Sequence, residues 1–192
     1  MLMTTGCQKS SRVEASAEVS AQYVLTDDKS DSVMSEMALQ LEREAVLERV
    51  KTIYRLVEHE STCSGGSMSE DLLDKAFCTK SWNKMMLAVR RKEYETNTLF
   101  FEINHWTMTQ EEGMIDFDEF EVVNCEVKSP KERWATVEFT VYESDTYTPA
   151  RIELVYEDGQ WKIDNFYQLK FMLNVRDSMY RYLDADIATY LI

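Results

Sequence analysis

The spacing of hydrophobic side chains changes near residue 99 from a helical period to strand-like alternation. Upstream of this point, one apolar face recurs at helical spacing in Val46, Val50, Ile53 and Val57. This period predicts a long amphipathic helix over about residues 33–59, with the intervening charged side chains facing solvent.

Two shorter helices are predicted after a break at residues 61–66. Ser67 and Glu70 match a capping box, which opens a short helix carrying Leu72, Leu73, Ala76 and Phe77. Thr79 is the predicted N-cap of the next helix. The apolar face of that helix consists of Trp82, Met85, Met86 and Val89.

Strand-like segments dominate the second half of the chain. Residues 99–108 are predicted to be partly extended, and residues 118–128 to form a strand. The clearest half-buried strand has the alternating apolar residues Ala135, Val137, Phe139 and Val141. Residues 151–156 and 160–166 complete a meander, whose short connections make it antiparallel. A final helix is predicted from about Leu169, with its apolar side formed by Met172, Val175, Met179, Leu183 and Ile187.

The sequence Asp158-Gly159 predicts the turn before the last of these strands, because glycine accepts a positive φ at little steric cost. Trp161 and Ile163 then alternate with Lys162 and Asp164, so one face of the strand is apolar. We expect Trp161 to pack into the core. The full set of expected structural residues is Trp82, Trp134, Trp161, Ile163 and Phe166.

Helices followed by antiparallel strands indicate an α+β fold. The expected architecture packs the N-terminal helices on a curved antiparallel sheet and adds a C-terminal helix. Residues 1–30 are rich in Ser, Ala and charge without periodicity, which predicts a flexible tether. Residues 31–192 are expected to form a single domain.

Three segments resemble a known family: Lys80-Ser81-Trp82, Leu99-Phe100-Phe101 and residues 158–166. Over about residues 33–168 the chain looks like the nuclear-transport-factor-2-like superfamily, the cystatin-like α+β cone. More narrowly, it resembles a bacterial envelope family of unknown function that is related to immunity proteins for type VI secretion amidases. The resemblance implies a cone with a pocket between sheet and helices. The helix after Leu169 would cover the mouth of the cone or form a partner surface.

Composition and charge narrow the range of partners. The 192 residues are 44% hydrophobic, enough for a sizeable core, and carry a formal net charge of −14. Nucleic acid is therefore a poor partner, because phosphate binding needs a clustered basic face. Residues 93–126 contain no Lys or Arg and many acids. This segment predicts an acidic surface that is either simply solvated or suited to a basic protein or a cation.

The N-terminus resembles the end of a bacterial lipoprotein signal, in which small residues precede a lipid-bearing cysteine. Gly6-Cys7 fits that pattern, which makes Cys7 the expected lipidation site and Met1 an internal methionine of a longer product. No apolar run of about 18 residues is present, so a lipid on Cys7 is the expected route to a membrane. The predicted location is the periplasmic side of the cell envelope; the alternative is an ordinary cytoplasmic start.

Candidate catalytic residues are few. The candidate pocket-lining side chains are Tyr54, Tyr94, Tyr142, Tyr156, Asp164 and His105. With ten tyrosines in the chain, we expect core or rim positions for them and a structural or solvent-facing role for His105. His59 and Cys63 lie close in sequence, which alone does not make a nucleophile–base pair. We predict no catalytic residue.

Metal and cofactor motifs are lacking as well. No Cys-x-x-Cys pair occurs, and Cys63 and Cys78 are either bridged or free. The segment Asp116-Phe117-Asp118-Glu119 is expected to be an acidic turn rather than a calcium loop. Gly65-Gly66 lacks the Lys-Ser/Thr of a phosphate loop. We predict no metal and no cofactor.

These observations favour a non-enzymatic, envelope-tethered binding or protein-interaction module, monomeric or homodimeric. An immunity-like role is implied by the resemblance alone. The expected contact surface is the acidic segment 93–126 or the cone mouth, with a protein or a small ligand as partner. The alternatives are a small-pocket enzyme or carrier of an apolar ligand that uses acid–base residues, and a structural spacer.

Overall fold

The computed structural model describes residues 35–62, 70–100, 104–108, 115–143 and 145–185. All of them belong to one compact unit, Met34–Ile192. The predicted tether of residues 1–30 and the lipidation site Cys7 lie outside the described residues.

The helices predicted before residue 99 are present. They are α1 (Glu36–Thr62), α2 (Glu70–Phe77) and α3 (Lys80–Thr96). Each predicted apolar position on α1 and α3 is buried, from Val46 at 0% exposed to Met85 at 8%. Ser67 of the predicted capping box lies outside the described residues.

The predicted N-cap of α3 is confirmed, and Thr79 also contacts the sheet. The Thr79 hydroxyl accepts a hydrogen bond from the Trp82 backbone N–H at 3.0 Å. It also donates to Asp164 at 2.5 Å, and the Thr79 backbone N–H donates to the Ile163 carbonyl at 2.9 Å. The start of α3 is therefore fixed by its own first turn and by a distant strand.

In the part of the chain that the structure describes, the strands form a five-stranded antiparallel sheet in sequential order. They are β1 (Ile115–Val127), β2 (Arg133–Glu143), β3 (Thr146–Glu157), β4 (Gln160–Gln168) and β5 (Leu173–Asn174). The alternation predicted for β2 is confirmed, since Ala135, Val137, Phe139 and Val141 are all buried. The α+β class and the antiparallel meander are therefore correct.

The hairpin between β3 and β4 turns at Asp158 and Gly159, as predicted. Both residues have positive φ, 52° and 82°, and Glu157 pairs directly with Gln160. Two successive positive φ values are typical of the two-residue turns that match strand twist, and glycine is favoured there.

The core lies between one face of the sheet and the helices, with α1 packed mainly on β1. Trp161 is 4% exposed, and its indole N–H donates to Glu42 of α1 at 3.1 Å. Trp82, Ile163 and Phe166 are 0% exposed. Trp134 is 37% exposed, and the Lys128 ammonium lies 5.0 Å from its ring centroid.

The predicted C-terminal helix begins later than expected. The chain first forms a short 3-10 helix (Leu169–Phe171) and then β5, which pairs with the end of β4. α4 (Val175–Asp184) starts only after Asn174, whose side chain accepts from the Asp177 backbone N–H. Met172 is 87% exposed with φ 52°, so it is not part of a helical apolar face, whereas Val175 and Met179 are buried as predicted. Ile187 lies outside the described residues.

The segment predicted to be partly extended contains a tight turn at residues 104–108. The Asn104 side chain accepts from the backbone N–H of Trp106 at 2.8 Å, and Met108 N–H donates to the Asn104 carbonyl at 2.7 Å. An Asn side chain that binds the backbone two residues ahead favours a turn over a strand. The prediction of extended structure is therefore wrong for this part.

Candidate functional site

A buried cluster of ionisable and hydrogen-bonding side chains surrounds Asp74 of α2; we call Asp74, Cys78, His105 and Trp106 the Asp74 cluster. Asp74 Oδ1 lies 2.8 Å from His105 Nε2 and accepts from Trp106 Nε1 at 2.9 Å. Cys78 Sγ lies 3.8 Å from the same oxygen. Asp74 and Cys78 are only 2% and 3% exposed, and His105 and Trp106 are fully buried.

Local structure brings these side chains together. Asp74 and Cys78 are four residues apart, so they lie one helical turn apart at the end of α2. The Asn104 turn presents His105 and Trp106 to them, and its last residue, Met108, accepts from the buried Gln168 side chain at 3.0 Å. The cluster therefore joins α2, the turn at residues 104–108 and the sheet.

The electrostatics keep the Cys78 thiol protonated. Burial raises the pKa of Cys78 well above its ordinary value of 9.0, and the charge of Asp74 and its hydrogen bond add to this effect. A thiolate is the reactive form of cysteine, so this environment works against nucleophilic chemistry. Burial also raises the pKa of the neighbouring Tyr54 hydroxyl, with the nearby Cys78 as a further cause.

Aromatic rings enclose the cluster. Phe166 lies 4.9 Å from Trp82 and 5.0 Å from both His105 and Trp106, measured between ring centroids. Tyr54 lies 6.2 Å from Trp106. Tilted and edge-to-face contacts at these separations are the favoured aromatic geometries. The predicted structural role of His105 fits this environment, whereas a solvent-facing position is wrong.

The other candidate tyrosines and Asp164 are dispersed. Tyr94 on α3 is 90% exposed, and Tyr142 is half-buried on β2. Tyr156 donates to the Gly159 carbonyl at 2.9 Å. Asp164 pairs with Arg176 and accepts from Thr79. The structure therefore does not bring all of the predicted pocket-lining residues together. Tyr54 and His105 each pack against the Trp106 ring, with their ring centroids 6.2 and 5.9 Å from it.

The acidic segment is divided between the core and the surface. Glu93 is buried; its carboxylate pairs with Arg90 at 3.3 Å and accepts from the Phe100 N–H at 2.7 Å. Glu102, Glu111 and Glu112 lie outside the described residues. The exposed carboxylates of β1 are those of Asp116, Asp118, Glu119, Glu121 and Glu126, and we call this set the acidic strand.

The acidic strand lies at the edge of the sheet, since β1 pairs only with β2 among the described strands. Its pairing is interrupted between Asp118 and Glu121 and again between Val122 and Asn124. Glu119, at the first interruption, has φ 60°. Residues 116–119 were expected to form a turn; they lie instead inside β1, where Phe117 points into the core.

The cysteine and metal predictions concern several residues that the structure does not describe. Cys63 lies outside the described residues, so its distance from His59 is not described either. Cys78 and Cys125 are buried free thiols. In the ranges that the structure describes, no group of three or more His, Cys, Asp or Glu side chains is placed to hold a metal ion.

The helices of the described ranges include none that is both long enough and apolar enough to cross a bilayer. Comparison with protein-family models finds no family that matches this chain, and no curated protein matches it significantly.

Sequence reasoning missed Asp74, Cys78 and Trp106 as interacting residues. One signal was available in the sequence. Asp74 lies between Leu73 and Phe77, on the side of α2 that carries buried residues, and an acid at such a position needs hydrogen-bonding partners. The partners of Asp74 are 31 and 32 residues away on another segment, a separation that local periodicity does not reveal.

Proposed function

We propose that this chain is a non-enzymatic protein-interaction module held at a bacterial cell envelope, and that the acidic strand contacts a basic protein partner. The observation that carries this proposal is the exposure of five carboxylates along one edge strand. The sequence has no Lys or Arg between Glu93 and Glu126.

An acidic edge strand suits protein recognition in two ways. Its charges favour a partner of opposite charge and speed the encounter. Among the described strands, β1 also has one side without a pairing strand, where an added strand can bind backbone N–H and C=O groups. The competing interpretation is that charges and bulges on an edge strand prevent unwanted pairing. The two interpretations differ in whether a partner is lost when the charges are removed.

The alternative of a small-pocket enzyme or carrier would depend on the Asp74 cluster. The cluster combines a carboxylate, an imidazole and a thiol, the residue types that acid–base or covalent chemistry uses. In the described structure, however, each of these side chains is at most 3% exposed. Their burial and mutual contacts support a structural role and leave the surface as the better-supported site of action.

We also propose membership of the nuclear-transport-factor-2-like superfamily and an immunity-like role towards a cell-wall amidase. Helices that precede an antiparallel meander, and the hairpin at Asp158-Gly159 that leads into the Trp161 strand, support the superfamily. An experimental structure with a sheet curved around α1 would agree with this assignment, whereas a flat sheet would contradict it.

Attachment to the envelope is proposed through a lipid on Cys7. A multiply acylated cysteine anchors firmly, because each buried CH₂ adds about 0.8 kcal/mol of membrane affinity. Expression of the natural gene in a bacterium fed radioactive palmitate tests this directly. Label and membrane association in the wild type, both lost in Cys7→Ser, would support it; an unlabelled wild-type protein would contradict it.

The partner surface is tested by affinity capture from solubilised envelopes with a matched pair of variants. The test variant is Asp116→Asn/Asp118→Asn/Glu121→Gln. The control, Glu48→Gln/Glu132→Gln/Asp184→Asn, removes the same charge from exposed positions outside residues 93–126. We expect a basic protein to be retained by the wild type and the control and lost from the test variant. Retention should also fall in about 0.5 M salt, because salt screens exposed charges. Equal retention by all three proteins would refute the proposal.

A further inference from the structure

Three polar atoms in or beside the Asp74 cluster are buried without a hydrogen-bond partner among the described residues: Asp74 Oδ2, Tyr54 Oη and Trp82 Nε1. The exposed fractions of these residues are 2%, 1% and 0%. Buried polar groups in native proteins are nearly always satisfied by protein or by ordered water, so each exception needs an explanation.

The three atoms belong to side chains of one neighbourhood. His105 Nε2 lies 2.8 Å from Asp74 Oδ1, and the Trp82 ring lies 5.5 Å from the His105 ring. Trp106 Nε1 donates to the same Asp74 oxygen at 2.9 Å, and the Tyr54 ring lies 6.2 Å from the Trp106 ring. Trp82 and Tyr54 therefore pack against the two side chains, His105 and Trp106, that bind Asp74 Oδ1.

The chemistry of these atoms restricts what can satisfy them. An indole N–H only donates, an ionised carboxylate only accepts, and a phenol does either. A cation has no lone pair for Trp82, and an anion would be repelled by Asp74. A ligand that serves all three must be neutral and must both donate and accept. Because the site is enclosed, it must also be very small.

We propose that Asp74, Tyr54 and Trp82 enclose an internal hydration site. Water donates to Asp74 Oδ2 and accepts from both Trp82 Nε1 and Tyr54 Oη, directly or through a second water. Buried waters in proteins typically make about three hydrogen bonds to otherwise unsatisfied groups. Oδ1 binds the protein donors, and Oδ2 binds the water.

The test is a crystal structure of the wild-type chain at about 1.5 Å or better, where ordered water is visible. We expect a density peak within about 3.2 Å of Asp74 Oδ2 and of at least one of the other two atoms. A direct protein partner for Oδ2, or apolar contacts around it without a peak, would overturn the proposal.

The variant Tyr54→Phe, with Tyr156→Phe as control, then tests the membership of the site. We expect the peak to weaken or move in Tyr54→Phe, because one of its partners is lost. It should stay unchanged in Tyr156→Phe, because that hydroxyl binds the Gly159 carbonyl elsewhere. An identical peak in Tyr54→Phe would exclude Tyr54 and overturn the site as proposed. If Tyr54→Phe does not fold, the wild-type density decides.

Discussion

Acidic side chains have opposite roles in the Asp74 cluster and in the acidic strand. Asp74 is 2% exposed and has hydrogen-bonding side chains on three sides of one carboxylate oxygen. The carboxylates of Asp116, Asp118 and Glu121 on β1 are exposed to solvent. Burial makes the first carboxylate part of the fold, and exposure leaves the others available to a partner.

The physical basis of the difference is desolvation. A carboxylate removed from water is tolerated only when donors replace its hydration, so the neighbours of Asp74 are indispensable to it. A surface carboxylate keeps its hydration, and salt screens its interactions over about 8 Å at physiological ionic strength. Removing a carboxylate should therefore lower the free energy of unfolding by a large amount in the core and by a small amount on the acidic strand.

The largest expected effect contrasts the two faces of the sheet. Trp161→Ala should lower the free energy of unfolding by about 3–5 kcal/mol, because it leaves a large cavity in the core. Trp134→Ala, at a residue that is 37% exposed, should cost clearly less. Denaturant unfolding of both variants measures the difference. A loss below about 1 kcal/mol for Trp161→Ala would show that this side of the sheet is not the core.

The second expected effect concerns the buried carboxylate itself. Asp74→Ala should cost about 3 kcal/mol, because it leaves buried donors of His105 and Trp106 without their acceptor. Asp71→Ala is the control in the same helix; its side chain is 61% exposed, so its change should stay within about 0.5 kcal/mol. If denaturant unfolding shows the same loss of free energy for Asp74→Ala and Asp71→Ala, the contrast between buried and exposed acids is wrong.

The third expected effect is a loss of stability in alkali. The pKa of Cys78 is raised in the folded protein, so the unfolded chain loses this proton first as the pH passes 9.0. The stabilisation is complete below that pH and declines above it, by at most about 1.4 kcal/mol per pH unit.

Unfolding free energies measured between pH 7.5 and pH 10 (roughly the range in which an ordinary thiol ionises before tyrosine) test this. Cys78→Ala should flatten the decline. Cys125→Ala should flatten it less, because the pKa of the Cys125 thiol is raised by a smaller amount. A Cys78→Ala protein that loses stability as steeply as the wild type would contradict the assignment. Tyr167, whose pKa burial raises to about 12, should add a separate loss that begins above pH 10.

The smallest expected effect is on the acidic strand. Asp116→Asn/Asp118→Asn/Glu121→Gln should change the free energy of unfolding by no more than about 0.5 kcal/mol per substitution. The sign should be slightly stabilising, because repulsion between like charges on one strand is relieved. Thermal melts in low salt measure it. A large destabilisation would mean that these carboxylates hold the fold, as Asp74 does.

The sequence was sufficient where a short local pattern marks the element. The alternation of Ala135 to Val141 and the hydrogen bond from the Trp82 N–H to Thr79 involve positions within a few residues of one another, and both are confirmed. Periodicity failed at Met172, because pairing of Gln168 with Leu173 extends the sheet where the apolar pattern also suited a helix. Burial of Glu93 was not predicted either. The acidic composition of its segment indicates exposure, and the contacts of Glu93 with Arg90 and Phe100 are not visible in composition.

The start of α3 carries a consequence for the order of folding. The Thr79 side chain bridges its own helix to Asp164, 85 residues later in the chain. A growing or truncated polypeptide that ends before β4 has α3 in its sequence but lacks the strand that completes the α3 cap. Because closing so long a loop is slow and entropically costly, we expect the helical half to acquire its final rigidity only after the hairpin at Asp158 and Gly159 has formed.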